Sequence, residues 1–167
     1  MEEAGQSGFH PLPQPDEIPV REREDAMGAY LMMFASIGAG LPLPIINLIA
    51  SVVYYYVNRG KSRFVRFHTH QSLLSQFPTS LINAGLVFWS AQIWLFHNME
   101  FPGNVYWGYF WMAVVANLLY FIFSIVAAVK ARKGQLYYLI FFGRLSYAHA
   151  YRVKDEENKA PVNLPPS

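Results

Sequence analysis

The sequence predicts an all-α fold: an integral membrane helical bundle of about four transmembrane helices with an interfacial C-terminal segment. Two observations carry that prediction. Three stretches of about thirty residues, Ala26–Asn58, Phe67–Met99 and Phe101–Val129, contain no Asp, Glu, Lys or Arg, and a helix crosses the hydrocarbon core with roughly twenty apolar residues. Charged residues are only 14% of the chain, against 53% hydrophobic and 17% aromatic, whereas soluble domains carry about a quarter charged residues.

Composition also bounds the function. The 167 residues suffice for one domain, and a net charge of +2 with no basic run among exposed aromatics gives no reason to expect nucleic-acid binding. The absence of cysteine removes disulfides, thiolate metal sites and cysteine nucleophiles. Residues 1–25 hold seven acidic and two basic residues, unlike a transit or signal peptide. The expected location is a membrane reached from the cytoplasm, most simply a bacterial inner membrane.

Residues 1–22 are polar and proline-rich without apolar periodicity, and are expected to form a disordered arm. Residues 23–151 make up the membrane domain, and residues 152–167 form a tail of the same character as the arm. The first apolar window is interrupted by Gly38, Gly40, Pro42 and Pro44, which breaks it into helices near Asp25–Leu41 and Leu43–Asn58 joined at a Pro-Leu-Pro turn. One long kinked helix is the alternative. At Asn58–Ser62 the chain is punctuated: Gly60 suits a left-handed helix end and Ser62 an N-cap. A helix from Arg63 through His97 follows, its first turns at the interface and its lipid portion starting near Ser72, with Pro78 kinking it around Leu74–Gln76. After a turn at Pro102-Gly103, the last long helix runs from about Val105 to Arg132 and is closed by Gly134. Trp94, Tyr106, Trp107 and Trp111 cluster toward that turn, at headgroup level. Gln135–Tyr151, aromatic but interrupted by Gly143 and Arg144, is expected to lie along the interface.

Lysine and arginine placement sets the orientation. Arg59, Lys61, Arg63 and Arg66 join the second and third helices, and Lys130, Arg132, Lys133 and Arg144 follow the last, whereas the intervening loop has only Glu100. Both basic segments, and with the hairpin reading both termini, are expected on the cytoplasmic side.

The richest short stretch is Lys61–Gln71. On a helix Arg63, Arg66 and His70 form one cationic stripe, with Phe64, Phe67 and Leu74 beside it. One reading is an interfacial helix start meeting anionic headgroups. The other turns Arg66, His68 and Gln71 inward to contact a partner or substrate chain, so that Arg63, Phe64, Arg66, Phe67, His68 and Gln71 are the candidate contact residues. His68 and His70 point about 200° apart on a helix and cannot chelate one ion unaided. No metal or cofactor is expected. No carboxylate lies between Ala26 and Val129 except Glu100, which leaves a proton relay without its usual acid. Serines without His–acid partners and glycines without a phosphate-binding pattern give no support to hydrolase or nucleotide readings. Asn47, Asn83, Gln92 and Asn117 are the polar groups within the spans. They read as interhelical hydrogen bonding or, alternatively, as the lining of a polar path.

The order of Pro42–Ala50, Lys61–Gln71, an apolar hairpin and Ala128–Tyr138 resembles the Tic-twenty-like family, small four-helix membrane proteins related to a chloroplast import translocon subunit. The strongest shared motif is Phe64–His68 with Gln71. The resemblance spans about residues 25–147 and implies a cofactor-free membrane protein, with a part in protein translocation in plastids. The functional expectation is therefore a non-enzymatic multi-pass membrane protein that binds membrane proteins, itself or a polypeptide. The alternative is a small channel or transporter lined by Asn47, Asn83, Gln92 and Asn117.

Overall fold

The computed structural model describes residues 8–35, 44–96 and 103–153. Among them the chain is all-α, with helices α1 (Val20–Leu31), α2 (Pro44–Asn58), α3 (Arg63–Trp94), α4 (Asn104–Arg132) and α5 (Phe142–Tyr151), and 3-10 turns at Pro15–Glu17 and Met32–Phe34. No strand occurs among the described residues; Phe9 and Arg152 form one isolated antiparallel bridge. The Pro-Leu-Pro turn, the Glu100 loop and the tail beyond Val153 lie outside the described residues.

α1 starts five residues before the predicted helix because Pro19 sets the entry: its carbonyl accepts from the Glu22 and Arg23 amides at 3.0 and 3.2 Å. The first half of α1 therefore carries Arg21, Glu22, Arg23, Glu24 and Asp25, and only its Ala26, Ala29 and Tyr30 face is buried. Residues 8–19, part of the expected disordered arm, follow the bundle. Ile18 is buried with Ala26, Tyr30, Phe64 and Ala131, and His10 and Val153 exchange backbone hydrogen bonds with Tyr151 and Gly8 at 2.8 and 2.9 Å.

Ser62 caps α3 by accepting from the Val65 amide. Gly60, expected in a left-handed conformation, does not adopt one; Gly134 does, with φ of 72°. At that glycine α4 ends in a Schellman motif, the Gln135 amide bonding to the Lys130 carbonyl and the Gly134 amide to that of Ala131. α3 passes through Pro78 without ending. Segment 135–140, without regular secondary structure, then meets α3 through Tyr137 and Leu139 before α5, so the expected interfacial segment is only partly helix.

Polar side chains share the interior with apolar ones, and many large apolar side chains lie outside. Buried positions include Ser51, Thr69, Gln71, Ser72, Ser75, Gln76 and Ser80, whereas Ile45, Ile49, Phe77, Leu81, Phe88 and Leu118 are exposed. An exterior with so many exposed large apolar side chains marks a surface suited to another apolar phase. α4 is the one helix among the described residues that is long and apolar enough to cross a membrane; α2 is apolar but shorter. α1 and α4 approach closely through Ala26, Ala127, Ala128 and Ala131, the small-residue packing typical of membrane helices. At the far end Tyr106 is buried among Trp89, Trp94 and Trp107 at centroid distances of 5.4 to 5.6 Å.

The two glycines separate by experiment. A methyl at Gly134 would sit 3.0 Å from Pro15 Cα and O on a backbone that L side chains rarely adopt, whereas one at Gly60 would meet nothing within 4 Å. Gly134→Ala is expected to cost about 1–2 kcal/mol, read by thermal unfolding in detergent, with Gly60→Ala close to wild type.

Candidate functional site

The basic end of the bundle is organised by α3, whose capped first turns run between α1, segment 135–140 and α5. Gln71 is fully buried there. Its Nε2 donates to the Tyr30 hydroxyl and to the Tyr137 carbonyl, both at 2.8 Å, and its Oε1 accepts from the Leu139 amide at 3.2 Å. One amide thus ties α1 and segment 135–140 to α3. The Tyr30 hydroxyl, accepting from Gln71, also hydrogen-bonds His68 Nδ1 at 3.0 Å. The other ring nitrogen, Nε2, is buried without a hydrogen-bond partner among the described residues, and the ring is flanked by Phe64 and Phe67 at 4.5 and 4.9 Å. Ser72 adds a bond to the Ala29 carbonyl at 2.7 Å.

Of the six candidate contact residues, Phe64, Phe67, His68 and Gln71 therefore face the chain's own core. A partner would reach them only by opening the bundle. Arg63 is exposed and Arg66 partly so; Arg63 contacts His10 Nε2 at 3.1 Å and Arg66 Nε donates to the Arg59 carbonyl at 3.1 Å. Lys61 pairs with Asp25 at 2.6 Å.

His70 points away from His68 and toward α5. Its ring stacks on His149 at 4.2 Å and 11° and its Nδ1 lies 3.0 Å from Ser146 Oγ. Tyr55 of α2 completes the cluster, its hydroxyl 2.9 Å from His149 Nε2. Burial, then the neighbouring His149, pushes the His70 pKa down to about 4. Sequence spacing had no means of finding this cluster, because His70 and His149 are distant in the chain and meet only when α5 folds back.

Nearer the middle of the bundle lies a cavity of about 390 Å³ whose lining sets Asn47, Gln76, Thr79, Ser80, Asn83 and Asn117 among the apolar Met33, Phe34, Leu118 and Phe121. Asn83 and Asn117 exchange reciprocal amide hydrogen bonds at 2.8 and 2.7 Å, joining α3 to α4. Three of the four expected lining residues meet here. Gln92, nine residues beyond Asn83 on α3 and so about 14 Å along the helix, is not among the lining. Gln76 was missed; it is buried, accepts from Ser51 and lies 3.4 Å from the Tyr120 hydroxyl. Its signal was present in the sequence, an amide in the same neutral tract as Asn83 and Gln92, but its depth was not.

Two outcomes follow. Gln71→Leu strands the Leu139 amide and the Tyr137 carbonyl and is expected to cost about 2–4 kcal/mol, read as a lower unfolding temperature with faster hydrogen exchange in segment 137–151. Lowering the pH from 7 to 4 is expected to loosen α5. Because His70 holds a proton less readily in the folded chain than in the unfolded one, its stabilising contribution is complete above about 6.5 and is lost as the pH falls toward 4. Hydrogen exchange of residues 142–151 should rise across that window and respond less to pH in His70→Gln.

Residues 22–146 match the family model described as the magnetosome magnetite crystal formation protein family, MamF/MmsF. No curated protein and no solved structure matches the chain. The family match overturns the Tic-twenty-like resemblance, since the two are different families. The motif behind that resemblance, Phe64–His68 with Gln71, serves here as internal packing around a buried amide, a demand that unrelated helical bundles share. The family match and α4 together make this a membrane-associated protein.

Proposed function

The chain belongs to the magnetosome magnetite crystal formation protein family, and from that premise we propose that it acts in magnetite crystal formation as a non-enzymatic, multi-pass membrane protein. Large apolar side chains exposed along α2, α3 and α4, with hydroxyls and amides among the buried groups, are the observation that carries the multi-pass reading. In it the first apolar window, α3 from about Ser72, and α4 cross the membrane. Both termini and the two basic segments face the cytoplasm. The protein works by contact with other membrane proteins or with further copies of itself, and Arg63 and Arg66 are the candidate contacts left at the surface. Translocation of polypeptides rested on the overturned resemblance and is not part of this reading.

A second reading is favoured by the cavity around Asn47, Asn83 and Asn117: a small channel or transporter. Purified protein in liposomes would then carry a flux that falls when these three residues become Leu, and a flux that does not change would remove it.

The main reading is tested in cells that form magnetosomes. Deleting the gene should alter the size or number of magnetite crystals in electron micrographs. Re-expressing Arg63→Ala/Arg66→Ala, at normal levels in the membrane fraction, should restore them only in part. Crystals unchanged by the deletion would sink the assignment. Restoration as complete as with wild type would remove the two arginines as contacts.

A further inference from the structure

We propose that the groove between α1 and α4 binds an anionic phospholipid, with the phosphate held by Arg23, Arg132 and Lys133. The groove is about 620 Å³ in volume, and its lining includes those three cations and the apolar side chains of Met27, Leu31, Ile125 and Val129. None of its lining residues is acidic. Asp25, two residues from Arg23, is occupied by Lys61.

The arrangement has the polarity of a lipid. The helices run antiparallel along the groove: Arg132 Nη1 lies 3.9 Å from Met27 Sδ, and further along, Phe34 meets Phe121 edge-on at 5.9 Å. Moving from Arg23 to Leu31 therefore runs in the same direction as moving from Lys133 to Ile125. Both paths go from the basic end toward the apolar middle. The cations all sit at one mouth, and the floor beyond them is apolar for about 12 Å, eight residues of helix. That matches a phosphate at the interface with an acyl chain below it. A free anion would have no use for the floor, and a neutral lipid none for the cations.

The cations are also available. Arg23 Nε donates to the Ile18 carbonyl at 2.8 Å, which orients the guanidinium while leaving its terminal amino groups for a ligand. Arg132 and Lys133 are exposed at the end of α4. The close alanine packing of α1 on α4 keeps the two walls at fixed separation, so the site is formed before the lipid arrives.

Since the chain has no cysteine, a fluorophore on Val129→Cys reports one position. The full chain is placed in phosphatidylcholine vesicles in which an equal fraction of either phosphatidylglycerol or phosphatidylcholine is brominated. Brominated phosphatidylglycerol should quench the label more strongly. In Arg23→Gln/Arg132→Gln/Lys133→Gln that preference should fall by about fivefold for each charge removed. Arg144→Gln/Arg152→Gln, which removes charge from the same end outside the groove, should keep it. Equal quenching by both lipids would overturn the proposal. So would an equal loss in the second variant, which indicates a diffuse field, or displacement by inorganic phosphate, which indicates an anion site without lipid. Absence of quenching by either lipid would instead overturn the membrane placement of α4.

Discussion

The Gln71 side-chain amide is the interaction on which the basic end of this bundle depends. It is fully buried, and it bonds to α1 through Tyr30 and to segment 135–140 through Tyr137 and Leu139. A buried polar group without partners costs more than a hydrogen bond returns, so the amide stabilises only the arrangement in which all three partners are present. Tyr30 is then committed to His68, Leu139 joins the apolar cluster with Phe64 and Ala131, and segment 135–140 delivers α5 to the far side of α3. The stacked imidazoles of His70 and His149 are downstream of that placement.

A chain whose outer surface is apolar cannot use apolar burial alone to tell inside from outside, because the surroundings offer the same contacts. Helix association then relies on close packing and on polar bonds between helices. Both are present here. Alanines bring α1 onto α4, and amides or hydroxyls join α2 to α3 at Ser51 and Gln76 and α3 to α4 at Asn83 and Asn117. Membership of a magnetosome crystal formation family gives that physics a setting, a membrane-associated protein.

Much of the helix layout was legible residue by residue. Ser62 caps α3, Asn104–Arg132 is helical, and Gly134 ends that helix in the left-handed conformation. These are local properties, set within one turn of chain. α1 was misplaced at its start because its charged first half looked like part of a polar arm, while the face that anchors it, Ala26, Ala29 and Tyr30, shows only against a neighbour. The family was misread for a related reason: an aromatic-basic helix start is a common solution to packing, and a short motif does not separate lineages that use it.

By itself the sequence determined the helical class, the neutral tracts and the basic ends, because length, hydropathy and caps act over a few residues at a time. Tertiary structure alone decided which polar side chains meet. Within that fold Gln71 became a clasp rather than a surface contact, three asparagines gathered around one cavity while Gln92 did not join them, and three cations came to one mouth of the α1–α4 groove. Those outcomes depend on the rotation and depth of one helix against another. That relation is fixed by the sum of many weak contacts between residues far apart in the chain, and no local pattern encodes it.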